Sequence, residues 1–167
     1  MTPADVPSGW ADVYEVHAQR LTHLAVLLAG PADAHDLVTD AVWKAVGSPR
    51  WRDVDSQGAY LTRVVVNLAH DRRRQADRRT RRERRAVPPA TGADTTADTD
   101  RALVVRTALH SLSAAQLSVV YLHYWEDLTL DGVAAQLGIG VGTARSHLDR
   151  AKRRLRTVLP HFEGELR

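Results

Sequence analysis

The chain has 167 residues, 44% of them apolar, no cysteine, and a net charge of only +3. That length can bury one modest core or two small ones, and the lack of cysteine excludes both a disulfide framework and a thiolate metal site. The N-terminal segment, residues 1–9, has neither the basic start nor the apolar core of a signal peptide, and the longest apolar run, Leu24 to Ala29, is too short to span a bilayer; a cytoplasmic protein with no membrane partner is expected.

From Trp10 to Ala29 the residues Val13, Val16, Leu21, Leu24, Leu27 and Leu28 recur at helical spacing until Gly30-Pro31 stops the run. A second helix is predicted from Pro31 to about Val46, with Leu37, Val38, Ala41, Val42 and Ala45 on one side, before Gly47-Ser48-Pro49. A third starts near Asp55-Ser56, where either side chain can cap, and carries Tyr60, Leu61, Val64, Val65, Leu68 and Ala69 into an arginine run. The triplet Val64-Val65-Val66 favours strand locally, but its flanks keep helical spacing. Residues 86–99 hold almost nothing able to pack and read as a flexible linker. Beyond it four helices are expected, near 100–110, 113–126, 130–137 and 141–159, the second opened by a capping box from Ser113 to Gln116. No strand pattern, internal repeat or heptad run stands out, so the predicted class is all-α: two small helical domains, 1–85 and 101–167, joined by the linker 86–100.

Charge is segregated along this frame. Residues 1–49 sum to −4, residues 50–85 to +7, residues 86–140 to −4 and residues 141–167 to +4, which gives the overall +3. Two basic segments on a chain of modest charge suggest a polyanion touched at two places.

The second basic segment has a specific setting. Residues 128–156 have the spacing of two short helices joined by a tight turn: Ala134 is small where the helices must cross, Gly138 follows the first helix where a left-handed residue is wanted, and Gly140 can cap the second. On that second helix Val141, Ala144, Leu148, Ala151 and Leu155 form the predicted buried stripe. Arg145, Ser146, Asp149, Lys152, Arg153 and Arg156 lie away from it. A helix with hydrogen-bonding groups near its start and cations further along suits a major groove, where the start reads base edges and the remainder holds phosphates. A helix-turn-helix of this kind also fits an autonomous regulator that binds an operator unaided, with residues 1–85 as a dimerisation or effector domain. A helical interaction protein with basic surfaces is a third class, marked by weak, salt-sensitive association without sequence preference.

The third helix carries Tyr60, Arg63, Asn67, His70 or Asp71, and Arg74 on one face. An aromatic and an amide followed by cations can stack an unpaired base, hydrogen-bond its edge and grip the backbone. No enzyme is expected, since the eight histidines show no metal-ligand spacing and no phosphate-binding glycine loop or nucleophile motif is visible; no cofactor, metal or small-molecule substrate is predicted.

Four stretches in order, Asp33 to Val46, Ala59 to Asp71, Trp125 to Thr129 and Val141 to Ala151, resemble the conserved regions of bacterial extracytoplasmic-function sigma factors, closest to the small actinobacterial branch with two core domains. The resemblance covers nearly the whole chain. It implies a promoter-specificity subunit whose partners are core RNA polymerase, through the β′ clamp helices and the β flap, and promoter DNA, duplex at −35 and single-stranded at −10; many members also have an anti-sigma factor. It assigns polymerase binding to the second helix, where Asp33, Asp36, Leu37 and Asp40 match. It assigns −10 melting and base capture to Tyr60, Arg63, Asn67, His70, Asp71 and Arg74, and −35 reading to Thr143, Arg145, Ser146, Asp149, Arg150, Lys152 and Arg153. Three departures stand out: His35 and Thr39 replace residues that are usually Glu and Gln or Glu, Gly140 replaces a usual Ser or Thr, and Asp149 places a carboxylate where phosphates would repel it unless it accepts from a cytosine amino group.

Overall fold

The computed structural model describes residues 9–84 and 100–159. Most of the expected linker, residues 86–99, lies outside them. The elements are α1 (Trp10–Ala29), α2 (Pro31–Val46), a 3-10 turn (Pro49–Arg52), α3 (Gln57–Arg84), α4 (Asp100–His110), α5 (Ala114–Tyr124), α6 (Leu130–Leu137) and α7 (Val141–Val158). The described residues are helical, with no strand among them. None of these helices is long and apolar enough to cross a membrane.

Helices α1, α2 and α3 pack on one another around Leu21, Leu24, Leu37, Val38, Leu61 and Val65. Gly30 separates the first two helices, and Pro31 at the start of α2 sits where a missing amide proton does no harm. Ser56 caps α3 by accepting from Ala59 N at 3.2 Å. The Val64-Val65-Val66 triplet is helical and buried, so tertiary packing overrides its β preference. Two features were not foreseen. The 3-10 turn puts Trp51 into the core at 2% exposure, and Val16 is 78% exposed, because at 100° per residue it falls well off the Leu21–Leu24–Leu28 stripe.

Helices α4 to α7 form the second cluster. Ser113 and Gln116 make the reciprocal capping box that opens α5, at 3.0 and 3.2 Å. The helix ends at Tyr124, earlier than expected, because Leu128 N turns back onto Leu122 O at 3.1 Å and Asp127 takes a left-handed backbone, φ 51°. Thr129 caps α6 through Gly132 N. Gly138 ends it at φ 66°, and Gly140 precedes α7 in extended backbone. Ala144, Leu148, Ala151 and Leu155 form the buried stripe of α7; Val141, expected on it, is 36% exposed because it lies in the first turn, ahead of the packed portion.

The two clusters pack on each other, α5 against α1 and α3, and α6 against α3. The seam is polar and specific. Gln136 of α6 turns its side-chain oxygen to the Arg20 guanidinium of α1, accepting from both terminal nitrogens at 3.0 Å; the opposite orientation would face donor to donor. Arg20 also donates to Thr62 Oγ1 of α3 at 3.2 Å and lies 4.0 Å from the Glu126 carboxylate. Tyr121 donates to Glu126 at 2.8 Å, and burial together with that carboxylate pushes its phenol pKa far up. Arg73 of α3 donates to the carbonyls of Leu112 and His110, at 2.6 and 2.7 Å, gripping the connection from α4 to α5.

Candidate nucleic-acid interface

Helix α7 presents its outer side uncovered by the other described residues. Thr143, Arg145, Ser146, Asp149, Arg150 and Arg153 are all exposed, while the Ala144–Leu155 stripe fixes the helix from behind. Thr143, Arg145 and Ser146 lie in the first two turns, and Arg153 and Arg156 continue the cationic side. Lys152 is half-buried, its ammonium 5.8 Å from the centre of the Tyr124 ring, so one face of α5 holds it beside the helix. Between these residues sits His147, half-buried, with Nδ1 lacking a hydrogen-bond partner; burial and the Arg150 charge push its pKa down. A helix start with polar side chains flanked by exposed guanidiniums matches a groove floor and its phosphate walls.

On α3 the residues expected to hold a strand lie along one side of the helix. Asn67, His70, Asp71 and Arg74 are exposed and Tyr60 and Arg63 half-buried. Tyr60 leans on the buried Trp51, ring centres 6.4 Å apart, which braces it as a platform. The Arg63 guanidinium lies 5.8 Å from the centre of the Tyr60 ring, and His70 Nδ1 lies 4.0 Å from the Asp71 carboxylate. Arg63 is also pressed onto the turn of the helix-turn-helix: a Cβ on Gly138 would come within 2.8 Å of its Nη1. The left-handed backbone favours glycine at 138, whereas the Arg63 tip is the end of a flexible side chain that can shift aside.

The basic run that begins at Arg72 is not uniform. Arg72 pairs with Asp40 of α2, and Arg73 holds the α4–α5 connection. These two guanidiniums are engaged in packing, whereas Arg74 is exposed.

Helix α2 bears Asp33, Asp36 and Asp40 on its exposed side. Leu37, also expected to contact a partner, is fully buried at 0% exposure. Its position in the helix turns it inward with Val38 and Ala41, so it anchors α2 and presents nothing to a partner. Sequence reading missed the seam residues Arg20, Thr62, Tyr121, Glu126 and Gln136. The available signal was Arg20 itself, one of only two cations in a 49-residue acidic block.

Comparison with known proteins follows the same division. Residues 13–79 match the family description Sigma-70 region 2, and residues 108–157 match Sigma-70, region 4. The chain is 36% identical over 139 residues to an RNA polymerase sigma-E factor of Streptomyces antibioticus, covering 80% of this chain and 74% of that one. It is 31% identical over 152 residues to the ECF RNA polymerase sigma factor SigM of Mycobacterium tuberculosis, covering 90% and 76%, and 31% identical over 159 residues to SigL of the same species, covering 88% and 86%. Among solved structures it is similar to the sigma factor RpoE of Bartonella quintana, crystallised with the anti-sigma factor NepR, at a TM-score of 0.67 and 22% identity over 93% of this chain and 99% of that one. That last likeness concerns the fold.

Proposed function

The chain belongs to the extracytoplasmic-function sigma factors, non-enzymatic subunits of RNA polymerase that act on promoter DNA, and from that premise we propose how its two modules divide the work. Residues 1–85 bind core polymerase through α2 and the β′ clamp helices, then melt −10 and hold its unpaired strand on the α3 face. Residues 101–167 dock near the β flap and read −35 as duplex with α7. Residues 86–100 tether the two, and the complex works in the cytoplasm.

The observation that supports this reading is that one chain carries two separate faces, on α3 and on α7, rich in polar and cationic side chains. The α7 face has the form of a duplex reader, with polar residues at the helix start and cations behind. The α3 face has the form of a single-strand holder, with Tyr60 braced by Trp51 and Asn67 exposed one side further along. Asn67 hydrogen-bonds a flipped base, Tyr60 stacks beside it, and Arg63, His70 and Arg74 hold the sugar-phosphate chain; Asp71 and His70 set the polar edge of the site. In α7, Arg145 and Ser146 reach base edges, Asp149 accepts from a cytosine amino group, Thr143 and Arg150 flank the contact, and Lys152 and Arg153 hold phosphates.

The seam adds a requirement. Promoter elements named −35 and −10 lie about 25 base pairs apart, roughly 85 Å of duplex, whereas α3 spans about 42 Å and has α5 and α6 of the second module packed against it. The two readers cannot reach their elements together until Arg20, Thr62 and Gln136 part. Polymerase binding supplies that separation, and an anti-sigma partner that held the modules together would prevent it. Run-off transcription on a promoter selected from a random library tests the reading: core polymerase plus this protein yields a specific transcript, and either component alone yields none.

A further inference from the structure

A cleft of about 510 Å³ opens between the start of α5 and the outer side of α7. Arg150, Arg153 and Arg154 form its α7 wall, and among the described residues none of their guanidiniums is hydrogen-bonded or ion-paired. No carboxylate and no aromatic ring lines it. Like charges at three- and four-residue spacing on one helix repel one another, so this wall is held at a cost that a bound anion removes.

The opposite wall is a donor surface fixed in place. Ser113 Oγ accepts from Gln116 N at 3.2 Å, and Gln116 Oε1 accepts from Ser113 N at 3.0 Å. That leaves the Ser113 hydroxyl hydrogen and the Gln116 side-chain nitrogen free to donate. Ser111 and Thr157, also in the lining, spend their hydroxyl hydrogens on Ala108 O and Arg153 O, at 2.6 and 3.0 Å. Arg73 of α3 holds the turn that carries Ser111 and Ser113, through the carbonyls of His110 and Leu112.

The charge pattern selects among anions. A nucleic-acid backbone carries one negative charge per phosphate, spread along its length. Three guanidiniums gathered in one cleft match instead an anion with several charges at one place, as in a phosphoanhydride chain. Arg154 follows Arg145 by nine residues, about two and a half turns, which puts it on the opposite side of α7 from that base-reading position. With no ring to stack on a base, the phosphates alone are recognised.

We propose that this cleft is a binding site for a small polyphosphate anion, whose phosphoanhydride chain Arg150, Arg153 and Arg154 hold against Ser113 and Gln116. Arg150 and Arg153 also serve the −35 reading proposed above, so an occupied cleft withdraws them from promoter DNA. This second step rests on that reading, whereas the binding itself does not.

Isothermal titration of the full-length protein with sodium tripolyphosphate, at an ionic strength held constant with chloride, tests the site. One equivalent is expected to bind. Arg154→Ala is expected to weaken binding about tenfold or more, and Arg156→Ala, an exposed cation of the same helix outside the lining, to leave it nearly unchanged. ATP is expected to bind as tightly as tripolyphosphate. Absence of saturable binding overturns the proposal, as does an equal loss in both arginine variants, the mark of diffuse attraction. Binding of ATP without tripolyphosphate overturns it too, since a base would then be the recognised group. A gel shift of the polymerase–promoter complex with saturating tripolyphosphate separates the two steps: release that is smaller in Arg154→Ala supports both. Unchanged promoter binding at full occupancy leaves the anion site standing and overturns the −35 roles of Arg150 and Arg153.

Discussion

Gln136, in the first helix of the helix-turn-helix, accepts hydrogen bonds from both terminal nitrogens of Arg20, in the first helix of the chain, at 3.0 Å. With Thr62 beneath and Glu126 beside, Arg20 is the group on which both modules converge. Removing it deprives the Gln136 oxygen and the Glu126 carboxylate of the cation they share. Arg20→Ala and Gln136→Ala should each cost about 1–3 kcal/mol of the packed arrangement and raise the radius of gyration seen by small-angle scattering. An unchanged radius in both variants would show that the seam is held elsewhere.

Base capture sets a second expectation. Asn67 is exposed, so Asn67→Ala should leave stability within about 0.5 kcal/mol of the parent. It should lower open-complex formation while leaving closed promoter binding nearly intact, because the amide engages only a base already out of the stack. Permanganate reactivity of −10 thymines gives the readout, and undiminished melting in the variant would count against the α3 assignment.

Arginines on α7 should fall into two kinds. Arg145→Ala removes a base-edge contact and should cost about 1–3 kcal/mol while relaxing preference at one base pair. Arg153→Ala removes a phosphate contact; it should weaken every sequence alike and reduce the salt-dependence slope by about 0.9. Binding isotherms at several salt concentrations, on the selected promoter and on point variants of it, distinguish the two patterns.

Acid should destabilise the fold through two histidines. Burial, then the Arg20 charge, lowers the pKa of His17, whose ring lies over Gly58 so closely that a Cβ there would be 2.2 Å from Nε2. Burial, then Arg150, lowers that of His147. Each group binds its proton more readily in the unfolded chain, so stability is full above the ordinary histidine pKa of about 6.5 and declines as pH falls through it, levelling off below the depressed folded values. Thermal midpoints at pH 8 and pH 5 should differ less in the His17→Gln, His147→Gln double variant than in the parent.

Much of this architecture was written in local signals. Gly30-Pro31, the Ser113–Gln116 pair and Gly138 punctuate the chain, and the end of α1, the starts of α2 and α5 and the end of α6 fall where those residues require. The recognition helix was legible for the same reason: its apolar stripe leaves Arg145, Ser146, Asp149 and Arg153 only one side to occupy. What could not be read is what depends on contacts distant in sequence. Arg20 and Gln136 lie 116 residues apart, and nothing near either position predicts the other. Leu37 was misplaced because motif resemblance marks a stretch, whereas helical geometry decides which of its residues face outward.

The central claim, that this chain reads promoters as a polymerase subunit, is tested most directly by a paired gel shift on the selected promoter with and without core polymerase. The account predicts a specific complex only when core polymerase is present, since the free chain, joined across its two modules at Arg20, Thr62 and Gln136, cannot engage two promoter elements at once. Equally tight, sequence-specific binding by the protein alone would contradict it and identify an autonomous regulator.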